Sequence, residues 1–128
     1  MKKVLILGGG FAGVEAAIFL RKENFEVTLI SNRDYFYIYP TSIWIPTGES
    51  KFDDVCVSLE DLRDAHGFEL IIDEIESIKS KEGKVYGKND TYEYEYLVVA
   101  IGSGKMKHEG SEHFLSICGK PEDSLKIK

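Results

Sequence analysis

Cysteine is scarce in this 128-residue chain, which holds only Cys56 and Cys118. Histidine is scarce too, and His66, His108 and His113 have no metal-ligand spacing with one another or with the cysteines, so no metal site is expected. Basic residues are outnumbered, 16 against 22 acidic, for a net charge of −6, which argues against a nucleic-acid partner. No apolar run reaches membrane-spanning length. The start, Met1-Lys2-Lys3-Val4-Leu5-Ile6, resembles a signal peptide only superficially: its apolar stretch is short and breaks at three glycines. The expected location is therefore the cytoplasm, where both cysteines are thiols unless one is catalytic. There is no P-loop, no G-x-S-x-G and no nucleophilic triad. If the chain takes part in catalysis, the chemistry comes from a cofactor, from Cys118, or from both.

What is present is a soluble, globular composition, 43% hydrophobic and 30% charged, long enough for one domain with a real core over residues 1–128. Its most informative stretch is the first. The apolar run Val4–Leu7 leads into Gly8-Gly9-Gly10-Phe11-Ala12-Gly13 and then into an apolar helical stretch to Leu20. A buried strand, a G-x-G-x-x-G turn and a helix start suit a dinucleotide. Gly8 allows the tight turn, Gly10 lets backbone approach a pyrophosphate, and Gly13 lets helix and strand pack closely. The helix opened by Phe11 and Ala12 turns its free N–H groups and positive dipole end toward the phosphates.

The pattern predicts a strand over Lys3–Leu7 and a helix from Phe11 to about Lys22, with Ala12, Ala16, Ala17 and Leu20 inward. A second strand over Phe25–Ile30 completes a right-handed βαβ unit. Residues 31–50 read as a long aromatic loop that either walls a flat cofactor or packs onto the core. Ser58 caps a short helix that Gly67 stops. Phe68–Ile72 is a strand, and Glu76–Ser80, Lys84–Gly87 and Thr91–Glu95 form an antiparallel meander. Tyr96–Gly102 reads as a central parallel strand whose carboxyl end meets the ligand crevice. The fold class is α/β, a Rossmann-like domain with a parallel sheet and an antiparallel β-meander.

In dinucleotide folds a carboxylate at the end of the second strand binds the ribose hydroxyls. Here Ser31 occupies that place, followed by Asn32. Serine still donates and accepts a hydrogen bond. Arg33 offers a different reading, a 2′-phosphate contact that would favour NADP.

Four segments carry a family resemblance: VLILGGGFAGVEAA, VTLISNRDYFYIYPTSIWIPTGESKFDDVCVSL, YEYLVVAIGSG and FLSICGKPEDSLK. Together they resemble the N-terminal FAD-binding part of a sulfide:quinone oxidoreductase, within the two-dinucleotide-fold flavoproteins that include type II NADH dehydrogenases. The resemblance implies FAD as cofactor, held by Gly8, Gly10, Phe11, Ala12 and Gly13, with Ser31, Asn32 and Arg33 at the adenosine ribose end. It implies backbone from Ile75 at the adenine, and Pro40, Thr41, Ala100, Ile101 and Gly102 on the flavin side. Ile101 departs from the threonine of the family's Ala-Thr-Gly. Ser116-Ile117-Cys118 matches the segment that carries a redox cysteine, and so implies Cys118 as the residue that takes sulfur from sulfide and passes electrons to flavin. The implied partners are sulfide and quinone.

Family members are several times longer. The expectation is a fragment of a larger flavoprotein, catalytically incomplete alone, touching a membrane surface only through regions absent here, and self-associating as a homodimer or larger. Two other functions compete. One is the FAD domain of an NADH:quinone or other pyridine-nucleotide-disulfide-type reductase, which does not need Cys118. The other is a stand-alone nucleotide-binding module without catalysis.

Overall fold

The computed structural model describes residues 2–104, 109–113 and 120–127. In chain order the strands are β1 (Lys3–Leu7), β2 (Glu26–Ser31), β3 (Tyr35–Tyr37), β4 (Cys56–Ser58), β5 (Glu69–Ile72), β6 (Ile75–Lys79), β7 (Lys84–Gly87), β8 (Thr91–Glu93) and β9 (Tyr96–Val99). The α-helices are α1 (Phe11–Lys22), α2 (Trp44–Thr47), α3 (Leu59–His66) and α4 (Asp123–Ile127). The chain divides into two compact units: residues 1–36 with 58–102, and residues 37–57 with 103–128. The unit boundaries fall within β3, within β4 and after Gly102.

The first unit is Rossmann-like. Its parallel sheet has the order β5-β2-β1-β9, and an antiparallel sheet has the order β6-β7-β8. The apolar runs explain why the parallel sheet is covered on both faces. Along β1 the side chains alternate, and all four of Val4, Leu5, Ile6 and Leu7 are buried. Val4 and Ile6 join Val27, Leu29, Val14, Ala17, Leu59 and Phe68 on the helical side. Leu5 and Leu7 join Ile30 and Val85 on the meander side, with Ile71, Ile75, Tyr92, Tyr94 and Leu97 against them. A strand buried on both faces reads as continuous hydrophobicity, as β1 does. Each fully buried aliphatic side chain here contributes about 1.5–3 kcal/mol. That burial, more than any single hydrogen bond, holds the layers together.

Local signals set the element ends. Helix α1 stops where Asn24 takes a left-handed conformation (φ 64°) and Phe25 N–H donates to Leu20 O at 3.0 Å. Asparagine tolerates that conformation better than most residues. Ser58 caps α3, its hydroxyl accepting from Asp61 N–H at 3.3 Å, and Gly67 (φ 77°) ends it.

Three expectations are revised. Tyr96–Val99 is not a central strand: among the described residues β9 pairs only with β1 and forms the sheet edge, with Val99 52% exposed. Ala12 is exposed instead of inward, because the buried stripe of α1 starts one residue later and runs through Gly13, Val14 and Ala17. Residues 31–50 are not a structureless loop, since they include β3, a 3₁₀ turn over Tyr39–Thr41 and α2.

In the second unit Tyr37 is buried, its ring edge-to-face with Tyr39 at 4.7 Å and its hydroxyl donating to Ser124 Oγ at 3.3 Å. Ile45 and Val55 are buried in the same unit. Of the aromatics in this unit, Tyr37 serves packing, while Tyr39 and Trp44 are exposed. Among the described residues no helix is long and apolar enough to cross a membrane.

Asp73 is a buried carboxylate at the end of β5. Its Oδ1 accepts from Glu74 N–H at 2.7 Å and Asn89 N–H at 3.2 Å, and its Oδ2 accepts from the Tyr92 hydroxyl at 2.6 Å. The Tyr92 hydrogen bond, with the backbone N–H groups of Glu74, Asn89 and Asp90, outweighs burial and holds the carboxyl below the usual carboxylate range. Burial first, then the Asp73 carboxylate, push the Tyr92 phenol up to about 12, so it remains a donor. A carboxyl with a depressed folded pKa stabilises the fold above its unfolded pKa of about 4 and loses that contribution as pH falls through the lower folded value. We therefore expect unfolding free energy, measured by urea titration across acid pH, to fall below about pH 4, and Asp73→Asn to flatten that acid limb.

Candidate functional site

Three glycines at the carboxyl end of β1 have three different surroundings. Gly8 has φ 108°, a conformation that disfavours a side chain, and a Cβ there would strike the Ala100 carbonyl beyond β9. A Cβ on Gly13 would strike the Gly8 carbonyl. Helix α1 thus approaches β1 so closely that only hydrogen fits between them. Gly10 differs: its φ of −89° suits any residue, and a Cβ there would meet nothing within 4 Å. Neither its backbone angle nor its neighbours in the fold require glycine at that position.

Gly10 is the N-cap of α1, and no side chain caps that end. The first turn carries no acidic residue, while Arg21 and Lys22 lie in the last turn. The first N–H groups of a helix have no intrahelical partner. Here they combine with the dipole to favour an anion. Phe11, 53% exposed, starts the helix and stacks edge-to-face on Phe36 at 4.7 Å. Ala12 is exposed beside it.

The second strand ends against this turn. Gly8 N–H donates to Ile30 O at 2.8 Å. Ser31 is 2% exposed and stands behind Gly9, whose Cβ would lie 2.6 Å from Ser31 Oγ and 3.0 Å from Leu59 Cδ1. The Ser31 hydroxyl donates to Arg33 O at 2.6 Å and accepts from Arg33 N–H at 3.2 Å, closing a tight local turn. That turn leaves Asn32 exposed and sets the Arg33 guanidinium 5.5 Å from the Tyr35 ring centroid. The Ser31 hydroxyl is thus already engaged with backbone.

Beyond β9, Ala100 N–H donates to Leu7 O at 2.8 Å, Ile101 is 62% exposed and Gly102 has φ 78°. Ile75 begins β6 opposite Gly87 and packs on the meander-side core. The first unit therefore brings Gly8, Gly13, Ser31 and Ala100 around one turn. Pro40 and Thr41 belong to the second unit, where the Thr41 hydroxyl donates to Ile38 O at 3.0 Å. Cys118 lies outside the described residues, and Cys56 is half-buried in β4. The residue that the sequence reading passed over is Asp73. Its signal was the acidic pair Asp73-Glu74 between the apolar strand Leu70-Ile71-Ile72 and Ile75, with Gly87 and Tyr92 spaced downstream.

A family model described as pyridine nucleotide-disulphide oxidoreductase matches residues 2–124. The chain is 36% identical over 104 residues to the sulfide-quinone reductase of Aquifex aeolicus, covering 79% of this chain and 24% of that protein. It is 30% identical over 108 residues to a type II NADH:quinone oxidoreductase of Staphylococcus epidermidis, covering 79% and 26%. The solved sulfide:quinone oxidoreductase of Aquifex aeolicus superposes with a TM-score of 0.90 at 33% identity, over 99% of this chain and 30% of that one. The chain thus spans about a quarter of the length of the curated relatives.

The glycines separate by substitution. Gly13→Ala sets a methyl against a backbone carbonyl, and should lower unfolding free energy by about 3 kcal/mol, the upper end for overpacking. Gly10→Ala should cost less than about 1 kcal/mol, the difference between glycine and alanine as N-caps. Denaturant titration of the two variants checks both.

Proposed function

The chain belongs to the pyridine nucleotide-disulphide oxidoreductase family, and from that premise we propose that it is the FAD-binding domain of a flavin-dependent oxidoreductase. The observation that carries this reading is Gly10: a glycine with ordinary φ and open space at its Cβ, capping a helix that has no other cap. Space kept free at that point suits a pyrophosphate lying on the first turn of α1. Gly8, Gly10, Phe11, Ala12 and Gly13 would supply the phosphate seat. Ser31, Asn32 and Arg33 would stand at the adenosine ribose, and Ile75 backbone at the adenine. Ala100, Ile101 and Gly102, with Pro40 and Thr41, are proposed for the flavin side. When bound, FAD supplies two-electron transfer; the residues of this chain bind and orient it.

For the longer protein we propose sulfide as donor and quinone as acceptor. The likeness to the sulfide-quinone reductase supports this, and Cys118 is the proposed sulfur-accepting residue. A second reading, oxidation of NADH with quinone as acceptor, is supported by the likeness to type II NADH:quinone oxidoreductases. It has no use for Cys118.

Calorimetric titration with FAD, ADP, NADH and NADPH tests the cofactor. FAD or ADP should bind more tightly than NADPH; the reverse order would overturn FAD and promote Arg33 as a 2′-phosphate contact. Gly10→Val should weaken ADP at least about tenfold, a loss of roughly 1.4 kcal/mol, while the far-ultraviolet circular dichroism stays native. In a protein carrying the remaining domains, Cys118→Ser should stop flavin reduction by sulfide and leave FAD bound. An unchanged rate would show that Cys118 is not the sulfur-accepting residue.

A further inference from the structure

Asp73 has no place in the site just described, yet it is among the most constrained polar groups of the first unit. It is 4% exposed. Its donors come from two directions: Glu74 N–H follows it in the chain, while Asn89 N–H and the Tyr92 hydroxyl belong to the β7–β8 turn and β8. That turn is itself closed by Gly87 N–H on Asp90 O at 2.8 Å, and Lys88 N–H donates to Glu74 O at 2.8 Å. Gly87 has no side chain where one would collide with Asp73 Oδ2. The meander is therefore shaped around this carboxylate.

The carboxylate's position matters because of what its backbone holds. Asp73 N–H donates to Ser31 O at 2.9 Å, immediately after the Ser31–Ile72 register pair. Ser31 closes the turn on Arg33 and stands behind Gly9. Ile75 follows Asp73 by two residues and opens β6. One residue thus grips both the Ser31–Arg33 turn and the Glu74–Ile75 segment. An apolar residue of similar size could fill the space, and filling a buried ionic site with apolar packing is often neutral or stabilising. It could not accept directed hydrogen bonds from Glu74, Asn89 and Tyr92 at once.

We propose that Asp73 is a positioning residue for the adenosine half of the bound dinucleotide, bracing Ser31–Arg33 against Glu74–Ile75 through its carboxylate and its own N–H. The inference rests on the FAD reading above, and it separates the two halves of the ligand. At the pyrophosphate seat Gly8 N–H donates to Ile30 O and Gly8 abuts the Ala100 carbonyl, contacts in which Asp73 takes no part. Losing the brace should harm adenosine recognition and spare phosphate recognition.

The test uses the ¹⁵N-labelled 128-residue chain, with ADP and inorganic pyrophosphate as probes followed by amide shifts. Asp73→Asn should weaken ADP about tenfold, the scale of one hydrogen bond to a charged group, and leave pyrophosphate affinity within about twofold. In the ligand-free chain it should speed amide hydrogen exchange at Arg33, Ile75 and Asn89, with Gly10–Gly13 unchanged. Tyr92→Phe removes a single donor and should weaken ADP about threefold, which keeps the test decisive if Asp73→Asn does not fold. Equal losses for ADP and pyrophosphate would overturn the inference by showing a general structural role. Unchanged exchange at Arg33 and Ile75 would overturn it independently of any ligand. If Asp73→Asn speeds exchange yet the wild-type chain binds neither probe, the FAD reading fails and the adenosine role falls with it.

Discussion

The approach of α1 to β1 is the contact on which the rest of the first unit depends. Gly13 and Gly8 meet with no room for a methyl between them. That closeness sets the start of α1 against the end of β1, where the strand's last residues are wholly buried. A helix packed further out would carry its N–H groups away from the Gly8 turn. The same contact serves packing and, in the proposed reading, places the start of α1 where a pyrophosphate would lie.

Burial on both faces makes that geometry rigid. Val4 and Ile6 anchor β1 to the helical layer, and Leu5 and Leu7 anchor it to the meander. A strand held from both sides cannot slip by one residue without exchanging its two apolar faces and displacing the turn that follows. Ser31 and Ala100 sit at the corresponding ends of the two neighbours of β1. The site is thus assembled from the ends of parallel strands in a shared register. The family's dinucleotide-binding fold is recognisable in a chain spanning about a quarter of its curated relatives because this unit carries its own core.

Much of this was legible residue by residue. Gly8, Gly10 and Gly13 announced a turn with distinct roles, and Ser58 and Gly67 announced the two ends of α3, because backbone conformation and capping are local properties. The alternation of Tyr92 and Tyr94 with Glu93 and Glu95 announced a half-buried segment, as both tyrosines pack on the meander-side core. Tyr96 broke the pattern. It opens β9, 48% exposed, because the chain leaves one sheet and enters another there. No local period records such a change of partner.

The sequence by itself determined the strand–turn–helix–strand of β1, α1 and β2, the helix α3 and the meander strands, and which glycine turn opens α1. These follow from side-chain period, backbone freedom and hydrophobicity, which act over a few residues. Only the tertiary structure decided that β9 lies at the edge of the described sheet, that the Ser31 hydroxyl is committed to Arg33, and that Asp73 braces Ser31 against the meander. Each depends on groups far apart in the chain, as Asp73 and Tyr92 are, meeting at hydrogen-bonding distance. That proximity is fixed by packing of the layers and leaves no periodic trace in the order of residues.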